Sequence, residues 1–323
     1  NFLNENNVKS IIIDHHEINK PFPKSNVLIN PKKNNGYEKF DYLCATTLVY
    51  FLLDLLIKKN NLDFKLSDFL IYVLLATVCD VMPLRELNRQ IAKYVMNVFD
   101  IKKNVAFNTL FKLGNKKNKF SIDDLGFYIG PIINAGGRLG NSNYGTELLS
   151  SDNQEIITIK SNKLILLNDK KKIIEKKILD KIDFNNIKKE NKNVIILYEH
   201  NINEGLIGII ASRLKDDFDK PSIVLTNSGD YLKASARSTS NYNIGNLIKT
   251  LVDKKVILKG GGHNMAAGFV IQKDNLQILD NFIQKDYLYK IPNPNYTNYY
   301  DFEISSSALN LDFINEIKKI GPF

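Results

Sequence analysis

Short apolar runs alternate along the chain with longer stretches in which apolar residues recur every three or four positions. Residues 8–13 form an apolar run that ends in Asp-His-His, a pattern typical of a buried parallel strand. Residues 41–57 and 67–78 have the length and spacing of core helices, and Ser67 is a candidate N-cap. From 152 to 188, apolar positions interleave with lysine clusters, which predicts one or two long amphipathic helices with a solvated basic face.

The alternation of strands and helices resumes near residue 193. The pattern predicts strands at 194–197, 222–226, 232–238 and 269–272, and helices at 205–214 and 244–252. Two α/β modules joined by a helical connector are the simplest description of this order. We therefore expect an α/β fold that is divided into residues 1–150, a helical connector at 151–190, a second domain at 191–287 and a further region at 288–323.

Composition narrows the class of protein. At 323 residues, 44 % hydrophobic and 24 % charged, the chain has the balance of a globular protein, which excludes a disordered tail, a fibrous protein and a small disulfide scaffold. The formal charge of +9 favours a polyanionic partner, although AT-rich coding can produce the same excess of lysine. Cys44 and Cys79 lie in apolar stretches, and the apolar run at 69–78 is about half of a membrane span, so we expect a soluble cytoplasmic protein.

Two places in the first module could hold a metal ion. Asp14, His15 and His16 follow the first predicted strand, and the carboxyl ends of strands are where open α/β sheets place their sites. Carboxylate and imidazole together suit a cation such as Mn²⁺ or Zn²⁺, whereas a strand end capped by polar residues is the simpler alternative. Asp80 ends the apolar run at 69–78 and needs a partner if buried, which could be a metal, a helix cap or a buried arginine.

Two further places along the chain could bind phosphate. Arg138 lies in the glycine-rich segment 130–140, which we predict to be a loop in which backbone and guanidinium approach an anion; a tight connection is the alternative. Lys233, Ser235 and Arg237 alternate along a predicted strand and therefore share one face, which is either an anion-binding surface or an exposed edge.

A second glycine-rich segment carries a histidine. Gly260, Gly261 and Gly262 can expose successive backbone N–H groups, with His263 beside them as a donor or a metal ligand. A histidine in such a turn is otherwise simply exposed. Taken together, metal candidates in the first module and phosphate-binding candidates in the second suit metal-assisted hydrolysis of a phosphoester.

Six sequence blocks occur in the order and approximate spacing of the RecJ single-strand exonucleases, a family of the DHH phosphoesterase superfamily. They are IIIDHHE, ATVCDVMPL, GPIINAGGRLG, EGLIGIIASRL, KASARS and GGGHNMAAG. The resemblance covers essentially the whole chain. It implies a DHH catalytic domain with a mainly parallel sheet in residues 1–150, a DHH-associated domain in residues 191–287 and the start of an oligonucleotide-binding barrel in residues 288–323.

The resemblance also implies roles for individual residues. His15 and Asp80 would be ligands of a centre of two Mn²⁺ or Mg²⁺ ions, and Asp14 would orient the histidines. His16 would face the scissile phosphate, and His263 would contact it and stabilise developing negative charge. The residues implied to bind substrate are Asn134, Arg138, Gly261 and Gly262, together with Ser235, Arg237 and Ser238 of a 5′-phosphate pocket.

The activity that the resemblance implies is hydrolysis of the 5′-terminal phosphodiester of single-stranded DNA, which releases 5′-mononucleotides in recombination and repair. The implied partners are a 5′-phosphorylated strand, a helicase and a single-strand-binding protein, and we expect a monomer without membrane contact. Two alternatives stay open. One is a small-substrate DHH phosphoesterase acting on nano-RNA, cyclic dinucleotides or 3′-phosphoadenosine phosphate, and the other is a non-catalytic single-strand-binding descendant.

The chain departs from the family pattern at several positions. Ile132 stands where the family has an arginine, and Ile202 and Asn203 stand where it often has Trp-His. The family also carries an Asp-x-Asp block and a further metal-binding aspartate before the DHH block. Because such carboxylates bridge two cations about 3.5–4 Å apart, we expect the remaining ligands upstream of residue 1, and we expect these residues to be a fragment that is inactive alone.

Overall fold

The computed structural model describes residues 2–18, 20–33, 38–117, 119–291 and 300–322. Contacts divide the chain into two units. Unit 1 comprises Asn1–Ile133, Glu147–Ser161 and Tyr300–Phe323, and unit 2 comprises Asn134–Thr146 and Asn162–Tyr299. Both contain helices and strands, so the predicted α/β class is confirmed.

Up to residue 179, helices predominate. The elements are α1 (Phe2–Glu5), β1 (Ile11–Ile13), β2 (Val27–Ile29), α2 (Ala45–Lys59), α3 (Leu70–Cys79), α4 (Glu86–Val98), α5 (Val105–Leu113), α6 (Ile122–Asp124), a π-helical turn (Leu125–Ile129), α7 (Gly130–Leu139), α8 (Asn143–Ser150) and α9 (Gln154–Leu179).

The remaining elements form a sheet with its covering helices and a last helix. They are α10 (Phe184–Glu190), β3 (Ile195–Tyr198), α11 (Ile207–Phe218), β4 (Ser222–Ser228), β5 (Tyr231–Arg237), α12 (Ile244–Asp253), β6 (Lys259–His263), β7 (Ala266–Gln272), α13 (Leu276–Lys290) and α14 (Leu311–Ile320). Among the described helices, none combines the length and apolar character that a bilayer span requires.

In unit 1, β1 and β2 pair in parallel, with Ile11 opposite Val27. The ladder continues one residue beyond the strands, because the Asp14 backbone N–H donates to the Ile29 carbonyl at 3.0 Å. Asp14 therefore lies at the carboxyl end of a parallel pair, as the sequence predicts. Helix α3 supplies buried core residues, including Leu74, and packs on α2 and α4.

The glycine-rich segment 130–140 is largely helical, so the predicted loop is wrong. Pro131 comes just after the π-helical turn Leu125–Ile129 and, having no N–H, donates nothing to the carbonyls of that turn. A Cβ added to Gly136 would lie 2.9 Å from the backbone oxygen of Asn141. Gly136 therefore allows the backbone at Asn141 to lie close to α7. The composition of the segment alone does not distinguish a glycine in such a contact from a glycine in a turn. Ile132, which stands where the family has an arginine, is a core residue that is 2 % exposed.

A second local prediction fails at Ser67. This residue lies inside a 3₁₀ turn (Leu66–Phe69), and α3 begins after Phe69 instead. Cys44 and Cys79, which lie in apolar stretches of the sequence, are both free thiols, and Cys44 is buried. The predicted long helix near 152–188 is present as α9, followed by the short α10.

Unit 2 contains a five-stranded sheet of order β3-β4-β5-β7-β6, in which only the β3–β4 pair is parallel among the described strands. The predicted glycine turn at 260–262 is therefore wrong, since these residues belong to β6, an edge strand paired with β7. Pairing uses one edge of β6, so its backbone groups point outward at alternate residues and not in succession.

The two faces of this sheet differ in what covers them. One face packs on α12 and α13 through residues such as Phe269. On the other face α11 packs at β4 and β5, where Val224 joins its apolar cluster. Directly opposed residues share a face, and the register places Ser235, Gly268 and Gly261 in line with Val224. Gly268 and Gly261 are exposed, so beyond α11 this face is open.

Helix α14 belongs to unit 1. The Arg89 side chain on α4 donates to the carbonyl oxygens of Ile320 and Pro322, the latter at 3.0 Å. The Ile320 carbonyl belongs to the last residue of α14 and the Pro322 carbonyl follows the helix. Neither has a partner within the helix, so the Arg89 guanidinium supplies their hydrogen bonds. The barrel predicted to begin in residues 288–323 stays a prediction, because residues 292–299 lie outside the described part of the chain.

The backbone contacts of β6 generate a test of its packing. A Cβ at Gly262 would lie 2.3 Å from the Ala266 carbonyl oxygen, whereas one at Gly261 would meet nothing within 4 Å. We expect Gly262→Ala to lower the free energy of unfolding by about 1–3 kcal/mol, because backbone atoms must shift. Gly261→Ala is the matched control and should change it by less than about 0.5 kcal/mol. Chemical denaturation measures both, and equal effects would contradict the described strand pairing.

Candidate metal centre and phosphate-binding face

The Asp14-His15-His16 turn is held by one carboxylate oxygen. Asp14 Oδ1 accepts the backbone N–H groups of His15 at 2.8 Å and His16 at 3.3 Å, and lies 2.7 Å from His16 Nδ1. Partial burial raises the pKa of Asp14, but the hydrogen bonds from His16 and from the two backbone N–H groups outweigh it, so the pKa lies below its usual value. The carboxylate is therefore ionised at neutral pH and fixes the His16 ring.

His15 is held by different partners. Its Nδ1 accepts the backbone N–H of Ala45, the first residue of α2, at 3.2 Å. Its Nε2 lies 2.7 Å from Asp80 Oδ2. Because Nδ1 accepts a hydrogen bond, a neutral ring carries its proton on Nε2 and donates it to Asp80. The His15 side chain is 11 % exposed and that of Asp80 48 %, so the pair opens to solvent on the aspartate side.

The end of α3 aims Asp80. The Met82 N–H donates to the Thr77 carbonyl and the Val81 N–H to that of Val78, which is a Schellman ending with Asp80 as C-cap. Val81 has φ 53° although it is β-branched and 86 % exposed. A left-handed residue costs roughly 1–2 kcal/mol, and packing does not offset this at an exposed side chain.

The side chains assembled here suit a divalent cation. Asp14, His15 and His16 form the one group of three possible metal ligands found within the described ranges, and Asp80 contacts His15. Two carboxylates and two imidazoles match the oxygen and nitrogen ligands preferred by Mn²⁺, while Mg²⁺ favours the oxygens. Ligation through His15 Nε2 displaces the proton that Asp80 now accepts. Burial and the charge of Asp80 raise the pKa of Cys79 to about 11, so the neighbouring thiol is inert.

In unit 2, the predicted alternation along β5 is confirmed. Lys233, Ser235 and Arg237 lie on the face that α11 packs against, while the intervening residues are buried on the other side. Lys233 is not a spare cation, because its Nζ lies 2.7 Å from Glu204. Ser238 is separated from this face: it is 1 % exposed and donates its hydroxyl to the Tyr242 carbonyl at 2.6 Å.

Two guanidiniums converge on this face. Arg237 donates to Ser235 Oγ at 3.1 Å and to the Ala236 carbonyl at 2.8 Å, and Arg138 donates to the Gly205 carbonyl at 2.8 Å. Burial lowers the pKa of Arg237, and the charge of Arg138 lowers it further. In the part of the chain that the structure describes, neither guanidinium lies within 4.0 Å of a carboxylate.

Glycines make room for both arginines. A Cβ at Gly205 would lie 2.5 Å from the Arg138 carbonyl oxygen, and one at Gly208 would lie 3.0 Å from both Arg237 Nη2 and Ser235 Oγ. Neither glycine was predicted from the sequence to have this role. Asn30, also missed, donates its side-chain amide to the His16 carbonyl at 3.0 Å and supports the metal turn from β2. A polar residue directly after a second parallel strand was the available signal.

The remaining predicted residues lie in unit 2. Asn134 is exposed on α7, one turn before Arg138 and on the same side of the helix. His263 ends β6 on the open face, and its Nδ1 accepts the Met265 N–H at 3.4 Å. Gly261 lies on that face, and Gly262 points away from it. The structure thus assembles the four metal candidates in unit 1 and most substrate candidates in unit 2.

Comparisons with known proteins match this arrangement. Residues 191–286 match the DHHA1 domain family. All of the chain aligns at 28 % identity with the single-stranded-DNA-specific exonuclease RecJ of Haemophilus influenzae, covering 60 % of it, and 97 % aligns at 26 % identity with RecJ of Bacillus subtilis, covering 40 %. The crystal structure of RecJ from Thermus thermophilus in complex with Mn²⁺ has a TM-score of 0.82 at 22 % identity, over 99 % of this chain and 47 % of that one.

The fold is of the α/β class, and residues 191–286 in the second half of the chain match the DHHA1 domain. More particularly, the chain is similar along its whole length to the single-stranded-DNA-specific exonuclease RecJ, a protein of the DHH superfamily. It spans about half the length of the curated relatives that it matches.

The His15–Asp80 pair generates a test that does not depend on activity. Asp80→Asn keeps an acceptor for the His15 ring but removes the charge, so we expect at least about a 10-fold loss of Mn²⁺ affinity in calorimetry. The unfolding free energy without metal should change by less than about 1 kcal/mol, because Asp80 is half-exposed. Asp54→Asn, an exposed aspartate paired with Lys58, is the control. Equal affinities in the two variants would remove Asp80 from the metal site.

Proposed function

We propose that this chain supplies catalytic and substrate-binding parts of a divalent-metal-dependent nuclease that degrades single-stranded DNA from its 5′ end. The observation that carries the proposal is the pair of half-buried guanidiniums of Arg138 and Arg237, which no carboxylate contacts among the described residues. The curated relatives are named as exonucleases specific for single-stranded DNA, which supports the substrate class.

A terminal phosphate fits this pair better than an internal one. A terminal phosphate monoester carries about −1.5 to −2 charges at pH 7, whereas a phosphodiester carries one. Two guanidiniums and the Ser235 hydroxyl offer donors with geometry suited to phosphate oxygens. The first turn of α11 follows Gly205, and its free N–H groups add to the positive potential there. Binding of the terminal phosphate would fix the strand end, and cleavage would then proceed 5′→3′.

The open face beside the arginines could admit the strand. Gly268 and Gly261 leave the backbone of β7 and β6 uncovered, so a nucleic-acid backbone can approach closely. The ring of His263 accepts at Nδ1, which places its proton on Nε2 in the neutral form. That N–H can donate to a phosphate oxygen as negative charge develops.

The chemistry of hydrolysis would come from the Asp14, His15, His16 and Asp80 group. A bound Mn²⁺ or Mg²⁺ lowers the pKa of coordinated water and polarises the phosphoryl oxygen. His16 donates Nδ1–H to Asp14, so its Nε2 lone pair points away from the carboxylate and can accept a proton or bind a cation. A centre of two cations, a role in recombination and repair, and delivery of DNA by a helicase or a single-strand-binding protein are proposed on the RecJ resemblance alone.

The arginine pair predicts a preference for a 5′-phosphate. In fluorescence anisotropy, we expect the wild-type chain to bind 5′-phosphorylated oligothymidylate at least about 10-fold more tightly than the 5′-hydroxyl form, since a charge-assisted hydrogen bond contributes about 1.5–3 kcal/mol. Arg237→Ala should bring this ratio close to one. Arg85→Ala, which removes an exposed arginine paired with Asp41, should leave the ratio unchanged. If Arg237→Ala also leaves it unchanged, the phosphate is bound elsewhere.

The histidines predict which substitutions stop hydrolysis. In the complete protein, we expect His15→Ala to reduce release of nucleotides from a labelled single strand by at least about 100-fold, because the Asp80 partner and a metal ligand are lost together. Circular dichroism should show a folded protein. His200→Ala is the control, since His200 belongs to a separate cluster with Tyr198 and Asn227. Hydrolysis at the wild-type rate by His15→Ala would refute the assignment.

A further inference from the structure

Three polar residues follow one face of α9. Asn168, Lys171 and Glu175 stand at positions i, i+3 and i+7, which lie above one another on a helix. They are 5 % exposed, half-buried and 9 % exposed respectively, although most lysines and glutamates of this helix are in solvent. A buried polar face on a helix requires partners.

This face lies beside the end of α7 that carries Arg138. A Cβ at Gly140 would lie 3.0 Å from Leu167 Cδ1, so the segment after Arg138 contacts α9 one residue before Asn168. From α11, Arg213 Nε contacts Glu175 Oε1 at 2.9 Å. The face therefore meets both elements that flank the arginine pair of the proposed phosphate site.

Positive charge exceeds negative charge in this group. Glu175 is the carboxylate on this face and is already bound by Arg213. Burial lowers the pKa of Lys171, and the charges of Arg138, Lys172 and Arg213 lower it further while Glu175 opposes them. Within the described ranges, the Lys171 ammonium has no carboxylate within 4.0 Å. Glu175 is thus the carboxylate whose charge acts on Arg138, Lys171 and Arg213, while Asp216 and Asp217 act on Arg213 as well.

One buried polar atom on the same face has no partner. Among the described residues, Asn168 Oδ1 is inaccessible to solvent and lacks a hydrogen bond. A buried amide left unpaired costs about 1–3 kcal/mol. Since its two ends can exchange by rotation, an asparagine can offer either its oxygen or its N–H₂ group to a ligand. This second observation is independent of the charges.

We propose that Lys171 and Asn168 bind a phosphate of the substrate strand in addition to the one bound by Arg138 and Arg237, a role that rests on the proposed function. The long helix α9 then contributes directly to substrate binding and is more than a spacer. Lys171 acts as the third cation of the site, and Glu175 holds Arg213 and limits the mutual repulsion of the cations.

The neighbouring Lys172 provides a matched control. It is 65 % exposed and lies 3.8 Å from Asp169, so it is an ordinary solvated lysine on the same helix. Lys171→Met and Lys172→Met remove the same charge and retain a similar apolar stem. Lys171→Arg keeps the charge and tests whether a cation is the property required.

Binding of 5′-phosphorylated oligothymidylate is measured by fluorescence anisotropy over a range of salt concentrations. We expect Lys171→Met to weaken binding about 10-fold and to reduce the slope of log K against log salt by about 0.7, the value for one phosphate contact in a single strand. Lys172→Met and Lys171→Arg should retain the wild-type slope. A purely structural lysine would lower the melting temperature without changing the slope.

Each outcome decides one question. If the wild-type chain binds and Lys171→Met matches Lys172→Met in affinity and slope, the Lys171 site is refuted and the arginine site stands. If the wild-type chain shows no salt-dependent binding of single-stranded DNA, the proposed function fails and this inference fails with it. Loss of binding in both Met variants, with equal reductions in slope, would indicate a diffuse basic surface and would also refute a specific site.

Discussion

The burial of two neighbouring arginine cations is the constraint on which the substrate-binding face of unit 2 depends. Burial disfavours the charge of Arg138 and of Arg237, and the nearby charge of Arg138 disfavours that of Arg237 further. Neutral oxygens of Gly205, Ser235 and Ala236 accept the hydrogen bonds of these arginines, and Glu175 opposes the effect of burial on Arg138 without contacting it. Carbonyl and hydroxyl groups stabilise the cations without cancelling their charge, so the attraction for an anion is retained.

In unit 1, each ring nitrogen of His15 has a hydrogen-bond partner. A backbone N–H at the start of α2 occupies one ring nitrogen, and the carboxylate at the end of α3 faces the other. Two helix ends thereby fix one imidazole, and the left-handed Val81 is part of the turn that directs Asp80. A strained residue with an exposed side chain next to a polar site is typical of positions selected for geometry more than for stability.

How far the sequence predicts the structure depends on the range of the interaction involved. The alternation of Lys233, Ser235 and Arg237 is local and periodic, and β5 confirms it. The predicted turn at Gly260–Gly262 and the predicted loop at 130–140 both fail, because Gly260 packs against Ile248 and Gly136 against Leu164, which are distant in sequence. The sequence alone also does not distinguish Lys171 from its neighbour Lys172. Only the fold shows that Lys171 is half-buried and Lys172 is exposed.

The hydrogen bonds from Arg89 to the end of α14 join residues that are synthesised at very different times. Arg89 and the carbonyl of Pro322 are 233 residues apart, and all of unit 2 after α9 lies between them. On the ribosome, unit 2 can therefore fold before the carbonyl partners of Arg89 have been synthesised. Unit 1 can therefore close only after unit 2 has been synthesised, because residues 300–322, which belong to unit 1, leave the ribosome after it.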